Sequence, residues 1–338
     1  MTASTNRRVV VSERGGPDVL QIFEEPMPVP GPGEIRVKTL AAGVSAFDVM
    51  LRSLSFPGFP KPPFTPGVDV VGVVDARGHE VTAPDEGDTV AALLDMGGGS
   101  YTEYLCIPAD RAVPVPAGVD PGLAVCVVAN YLTAHTMMHQ GAKVKAGESV
   151  LVHGAAGGTG TALLELGALA GLEMYGTASK HNHDAVLSYG ATPIDYRSED
   201  FVERIRELTG NGVDVVFDQI GGTRQVWRSY RALRKGGRLI WFGVAGTKHH
   251  GRWVIPGSLF MRTLVSLIPD GRKAPLTPAA SPDNIERYQE TLAKLLNWLA
   301  DGSLKPHVHE RVPLLEAVRA HEVIERGKYA GKVVLVVD

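Results

Sequence analysis

At 338 residues the chain is long enough for two domains rather than one. Its 34 Lys and Arg against 37 Asp and Glu give a net charge of −3 with no long basic run, which argues against nucleic acid or an acidic membrane surface as the main partner. No apolar run reaches the roughly 20 residues that span a bilayer, no signal-peptide core follows the N-terminus, so a cytoplasmic location is expected, and two cysteines, Cys106 and Cys126, are too few for a disulfide scaffold or a cysteine-built zinc site.

Residues 8–125 read as an all-β region. Short β-rich runs at Arg8–Val11, Glu34–Leu40, Val68–Ala76, Thr89–Leu94 and Tyr101–Ile107 are separated by prolines and glycines. The texture changes after Pro121. Leu123–Gln140 is helical in pattern, and from Val150 strands and helices alternate. Strands are predicted at Ser149–His153, Glu173–Thr177, Thr192–Asp195, Val213–Asp218, Gly237–Phe242 and Leu264–Leu267. Helices are predicted at Gly158–Ala170, His183–Tyr189, Phe201–Thr209 and Thr223–Leu233. Such alternation means parallel strands joined by crossover helices, an α/β doubly wound sheet. Residues 283–301 form an amphipathic helix, and strand-like Pro306–Val312 and Gly331–Val337 flank a helix at Leu314–Arg326. The α/β part is therefore expected as an insertion, residues 126–268, within a β domain made of 1–125 and 269–338.

The most informative segment is Val150–Gly160, where Val150–His153 runs through Gly154, Gly157, Gly158 and Gly160 into an apolar helix. Strand, glycine turn and helix in that order present free backbone N–H groups to a pyrophosphate. An NAD site carries an acid at the end of the second strand, about 20 residues beyond the glycines. Here that place reads Thr177–Ala178–Ser179–Lys180, a hydroxyl and a cation that suit a 2′-phosphate. NADPH is the expected coenzyme.

Several segments, in order, resemble the quinone oxidoreductase (zeta-crystallin-like) branch of the medium-chain dehydrogenase/reductase superfamily. Ala42–Asp48 is similar to its Gly-Val-Asn-x-x-Asp segment, Pro66–Val74 to Pro-Gly-x-Glu-x-x-Gly-x-Val, and Tyr131–Ala134 to the segment near the nicotinamide. Val150–Gly160 matches its coenzyme loop and Gly331–Leu335 its final strand, while Gly176–Ser179, Pro193–Tyr196 and Asp218–Gly222 also resemble the vesicle-amine-transport-protein-like members. The resemblance implies a GroES-like β-barrel domain beside a Rossmann domain, with the coenzyme bound between them. It implies that Gly157, Gly158, Thr159 and Gly160 face the pyrophosphate and that Ser179, Lys180 and Tyr196 surround the 2′-phosphate and adenine end. Gly221, Phe242, Gly243 and Val244 would line the nicotinamide ribose, Leu267 would approach the ring, and Lys332 is either a lysine near the coenzyme or a charge at the barrel edge.

Zinc-dependent relatives hold their catalytic metal where this chain has Ser45, Val68 and roughly Ala129, none of which replaces a thiolate or imidazole ligand, so no metal is expected. His135 and His139 share one helix face but have no Glu between them. Without a metal electrophile a plain ketone is a poor acceptor, whereas a quinone or α,β-unsaturated carbonyl delocalises the charge that arrives with the hydride. The expected activity is NADPH-dependent reduction of such a small molecule. Ser45, in place of the family's Asn, with Asp48 and Thr133, are the candidate catalytic residues. Phe56 and Phe59 suggest an apolar acceptor pocket or a pinned loop. A specialised enoyl or alkenal reductase and a non-catalytic NADPH-binding protein remain as alternatives. A homodimer is expected, because the apolar runs Leu239–Val244 and Leu259–Leu267 would supply strands with an open edge.

Overall fold

The computed structural model describes residues 5–243, 245, 253–275 and 284–337. The chain divides into two units, Met1–Leu132 with Ala280–Asp338, and Thr133–Ala279. In the first unit β1 (Thr5–Val11) and β2 (Leu20–Pro26) form an antiparallel pair. β3 (Glu34–Val44) leads into helix α1 (Ala46–Ser53), followed by β4 (Asp69–Arg77), β5 (Thr89–Leu93), β6 (Tyr104–Pro108) and β7 (Val113–Pro114). Along β3, burial alternates at Ile35, Val37 and Thr39 and then becomes continuous over Ala41–Val44, so its outer half has one wet face and its inner half none. Helix α2 (Pro121–Cys126) starts on Asp120, whose carboxylate accepts the Leu123 N–H at 2.8 Å, and passes into a wide turn at Val127–Tyr131.

The second unit takes up the chain within α3 (Leu132–Thr136). It then runs β8 (Ser149–His153), α4 (Gly158–Leu169), β9 (Glu173–Ala178), α5 (His183–Leu187), β10 (Thr192–Asp195), α6 (Phe201–Thr209), β11 (Val213–Asp218), α7 (Thr223–Arg231), β12 (Leu233–Trp241) and α8 (Val254–Ser266). Its five strands are parallel in the order β10-β9-β8-β11-β12. The order reverses between β8 and β11, the switch point beside which parallel sheets of this kind bind ligands, outside the carboxyl ends of the strands. All of β8 and β11 is buried, as strands covered on both faces by helices must be. The chain returns to the first unit with α9 (Ile285–Ala300), β13 (Val308–Pro313), α10 (Ala317–Arg326) and β14 (Lys332–Val336), and the second sheet reads β13-β14-β3-β4-β5-β7, with β6 also pairing β3.

One sequence expectation needs correction. Leu264–Leu267 is not a strand: Val254, Ser258 and Val265 are buried on one face of α8, which packs on α7. A short apolar run reads equally well as buried strand or helix, and here the helical spacing wins. Among the described residues, β12 is flanked on its outer side by an isolated bridge between Arg238 and Lys273. β2 is a strand the sequence reading left out: it is exposed at four successive residues, Gln21–Glu24, and so carried no apolar alternation to detect.

One ion pair holds the centre of the first unit. β3 lies between β14 and β4, and Lys332 Nζ from β14 donates to Asp69 Oδ2 of β4 at 2.8 Å. The pair meets over Gly43 of β3, where an added Cβ would lie 2.4 Å from both Asp69 Oδ1 and Lys332 Cε. Only glycine leaves this room. Burial works against the Lys332 ammonium, yet the Asp69 carboxylate beside it keeps its pKa above the ordinary lysine value. Removing one partner strands a buried charge, so Lys332→Met should lower stability by roughly 3–5 kcal/mol in chemical denaturation, and the Asp69→Leu/Lys332→Met double variant should recover most of that loss. Additive losses in the double variant would contradict the pair's role.

Candidate functional site

In the first unit the site begins where β3 ends. Ser45 caps α1: its Oγ accepts the Asp48 N–H at 3.4 Å, and Asp48 Oδ2 accepts the Ser45 N–H at 2.8 Å and the Ser45 hydroxyl at 2.6 Å. Asp48 Oδ1 accepts the Gly67 N–H at 3.2 Å. Ser45 is half-buried and Asp48 fully buried. Burial pushes the Asp48 carboxyl up to about 6 against the lowering effect of the Ser45 hydrogen bond. A serine hydroxyl this close to a carboxyl that titrates at about 6 can pass a proton in either direction.

α1 is held from behind by residues that sequence reasoning missed. Arg52 is buried and donates to the Gly15 carbonyl at 3.1 Å, to His321 Nδ1 at 3.0 Å and to Glu325. A guanidinium only donates, so His321 carries its hydrogen on Nε2 and gives it to the Tyr101 hydroxyl at 3.3 Å. Burial, then the Arg52 charge, takes His321 down to about 3, which keeps it neutral. The available signal was the i, i+4 spacing of Asp48 and Arg52 on one helix; nothing in the sequence joined Arg52 to His321. Phe59 contacts both Phe56 and Phe47, with ring centroids at 5.5 and 6.4 Å, so these rings pin the loop after α1 to the helix.

Lys332 does not reach out of the barrel. Its ammonium is 3% exposed and lies on Asp69, with Asn130 Oδ1 at 3.5 Å. Among the described residues no group of three His, Cys, Asp or Glu side chains could hold a metal ion.

In the second unit α4 begins at Gly157 with no side-chain cap, and the Thr161 N–H is the one that bonds back to Gly157. The amides of Gly158, Thr159 and Gly160 thus lack intrahelical acceptors, as any first helical turn does, and the helix dipole adds positive potential there. A Cβ at Gly160 would lie 2.3 Å from the Gly154 carbonyl oxygen, which explains that glycine by close packing of helix on turn. Beside the turn, Gln219 Nε2 donates to the carbonyls of His153 and Gly154 at 3.1 and 3.0 Å. Gly221 donates to Asp218 Oδ1 at 3.1 Å, and the Phe242 N–H bonds to the Asp218 carbonyl at 3.0 Å. Gly154–Gly160, Gly221, Phe242 and Gly243 therefore gather at the carboxyl ends of β8, β11 and β12. Thr133 is half-buried on α3.

Parallel register pairs Ala178 with Asp195, so Ser179 and Tyr196 leave their strands side by side. Ser179 is buried with its hydroxyl 3.2 Å from His181 Nε2, Lys180 is exposed, and Tyr196 is exposed beneath the Arg197 guanidinium, 5.7 Å from the ring centroid. Arg197 is a second cation at this end that the sequence reading passed over. Val244 lies outside the described residues. Leu267 is a correction: it ends helix α8 with its side chain 74% exposed, not a strand at the crevice.

The sequence pattern of the zinc-binding dehydrogenase family matches residues 189–335, and that of the alcohol dehydrogenase GroES-like domain matches residues 31–117. The chain is 32% identical to human quinone oxidoreductase across 97% of each chain. It is 30% identical to the human synaptic vesicle membrane protein VAT-1 homolog, across 98% of this chain and 86% of that protein. Among solved structures, Escherichia coli quinone oxidoreductase complexed with NADPH superposes with a TM-score of 0.86 at 28% identity, covering 98% of this chain and 99% of that one. A mycobacterial protein complexed with NADPH superposes with a TM-score of 0.86 at 31% identity over the same shares. Similarity on this scale, end to end in sequence and fold, means that the chain belongs to the medium-chain dehydrogenase/reductase superfamily, alongside the quinone oxidoreductases and VAT-1 homologues.

Proposed function

We propose that this protein is an NADPH-dependent reductase of quinones or α,β-unsaturated carbonyls that works without zinc. The observation that carries the reading is the uncapped first turn of α4 at the switch point of a parallel sheet, with Ser179 and Lys180, not an acid, after the next strand. NADPH, when bound, supplies the hydride. The amides of Gly158, Thr159 and Gly160 hold its pyrophosphate, Lys180 with Ser179, Tyr196 and Arg197 receives the 2′-phosphate end, and Gly221, Phe242 and Gly243 border the ribose nearer the ring. Lys332 acts indirectly, through the strand that leads into Ser45.

The proton comes from the Ser45–Asp48 pair. In its acid form Asp48 donates to Ser45 Oγ as Ser45 releases its own proton to the reduced acceptor, and solvent then returns a proton to Asp48 through the half-buried Ser45 hydroxyl. Thr133 offers a second hydroxyl to the acceptor's oxygen. A conjugated acceptor needs no more help than this, because it spreads the developing charge over its own π system.

We further propose a homodimer. Trp253, Phe260, Leu264 and Leu267 fall at i, i+7, i+11 and i+14 and stay exposed, a row of apolar side chains on one side of α8. β12 is the outermost strand beside it. A second copy covers both features by the same patch on each subunit, as two-fold symmetry requires.

Replacing Lys180 with Ala should weaken NADPH binding at least about tenfold in fluorescence titrations and leave NADH nearly unchanged. Equal losses for both coenzymes would remove Lys180 from the 2′-phosphate. NADPH consumption should be fast with naphthoquinones, alkenals or enones and negligible with saturated ketones. A carboxyl with a raised pKa holds its proton up to about 6 and loses it above, so kcat should fall as pH rises through about 6, and Asp48→Asn should flatten that limb. No turnover on any conjugated acceptor, with NADPH bound, would defeat the reductase reading. Light scattering at micromolar concentration should return twice the 36.1 kDa chain mass, and the single-chain mass would exclude a stable dimer.

A further inference from the structure

Beneath the glycine turn runs a line of buried polar side chains that the proposed reaction does not use. Thr177 of β9, His153 of β8, Ser229 of α7 and Asp218 of β11 are each 3% exposed or less. Thr177 Oγ1 is 3.3 Å from the Gly154 N–H and 3.0 Å from His153 Nδ1. His153 Nε2 is 3.1 Å from Ser229 Oγ, which is 2.7 Å from Asp218 Oδ2.

Chemistry gives every link one direction. The Gly154 amide only donates, so Thr177 accepts it and turns its own hydrogen to His153 Nδ1. The Asp218 carboxylate only accepts, so Ser229 donates to it and receives the hydrogen of His153 Nε2. His153 is therefore neutral with its hydrogen on Nε2, and burial lowers its pKa in the same sense, with Asp218 and Arg228 acting in opposite directions. The ring is further fixed edge-on to Phe201, with centroids 4.6 Å apart. The far oxygen of Asp218 accepts the Ile220 and Gly221 amides at 2.8 and 3.1 Å. The chain thus starts at a backbone amide of one crevice loop and ends on two amides of the other. Serine, histidine and aspartate also make hydrolytic triads, but here the serine hydrogen points to the carboxylate, not the imidazole, and no surface reaches them.

We propose that His153 is a positioning residue for the coenzyme. Without touching it, the imidazole ties the Gly154 turn to the Asp218 loop and so holds the first turn of α4 in register with a pyrophosphate. The inference rests on the NADPH reading above and adds a residue to it. His153 stands in the middle of the line, accepting from the Thr177 hydroxyl on one ring nitrogen and donating to the Ser229 hydroxyl from the other.

Three variants test it by NADPH titration with thermal melting as the folding control. Thr177→Val keeps the shape and cuts the link to Gly154, His153→Leu removes the middle of the line, and His153→Gln restores an acceptor and a donor. Thr177→Val and His153→Leu should raise the NADPH dissociation constant at least about tenfold, and His153→Gln should stay within about threefold of wild type. Adenosine 2′-monophosphate, which has no pyrophosphate, should bind wild type and folded variants alike. Variants that bind NADPH as wild type does overturn the positioning role, as does a loss shared equally by adenosine 2′-monophosphate. A wild-type protein that does not bind NADPH overturns the functional reading itself and this inference with it.

Discussion

An ammonium and a carboxylate taken out of water must compensate each other closely, because the penalty for either one alone is several kcal/mol. Lys332 and Asp69 meet that demand across three neighbouring strands, and the demand propagates. The strand between them must carry Gly43, since any side chain there would strike both charged groups. With Gly43 placed, the end of β3 is placed, and Ser45 follows two residues later as the cap of α1. Asp69 in turn sits two residues after Gly67, whose amide bonds to Asp48. One buried contact thus sets both the hydroxyl and the carboxyl to which we assign proton transfer.

The second unit reaches its order by other means. Its turn amides must stay unsatisfied to receive an anion, so they cannot be held by capping side chains. The support comes instead from carbonyls and from buried side chains behind the turn: Gln219 grips the carbonyls of His153 and Gly154, and the line from Thr177 to Asp218 sets the peptides on either side.

Much of this was legible in the sequence because it rests on local signals. The strand, glycine turn and helix at Val150–Gly160 form as read, and so do four of the parallel strands from Ser149 to Asp218, while the fifth, read from Gly237, already starts at Leu233. Leu264–Leu267 misled because four apolar residues carry no period, and β2 escaped because its exposed face mixes Ile22 and Phe23 with acids. Lys332 and His153 were visible as residues but not as partners. Their contacts join segments far apart in the chain, and a single sequence records no pairing of that kind. The roles of Ser179 and Lys180 were inferred from an acid that is missing, which local reading supports; Arg197 was hidden because its approach depends on the parallel register of β9 and β10.

The claim on which the account stands is direct hydride transfer to a conjugated acceptor, completed by a proton from the protein. It is tested most directly by reducing an enone with NADPH deuterated at the transferring position and locating the label in the product. The account predicts deuterium at the β-carbon and hydrogen of solvent origin at the α-carbon, with Ser45→Ala slowing product formation without moving the label. A product that carries no coenzyme deuterium at the β-carbon would contradict it.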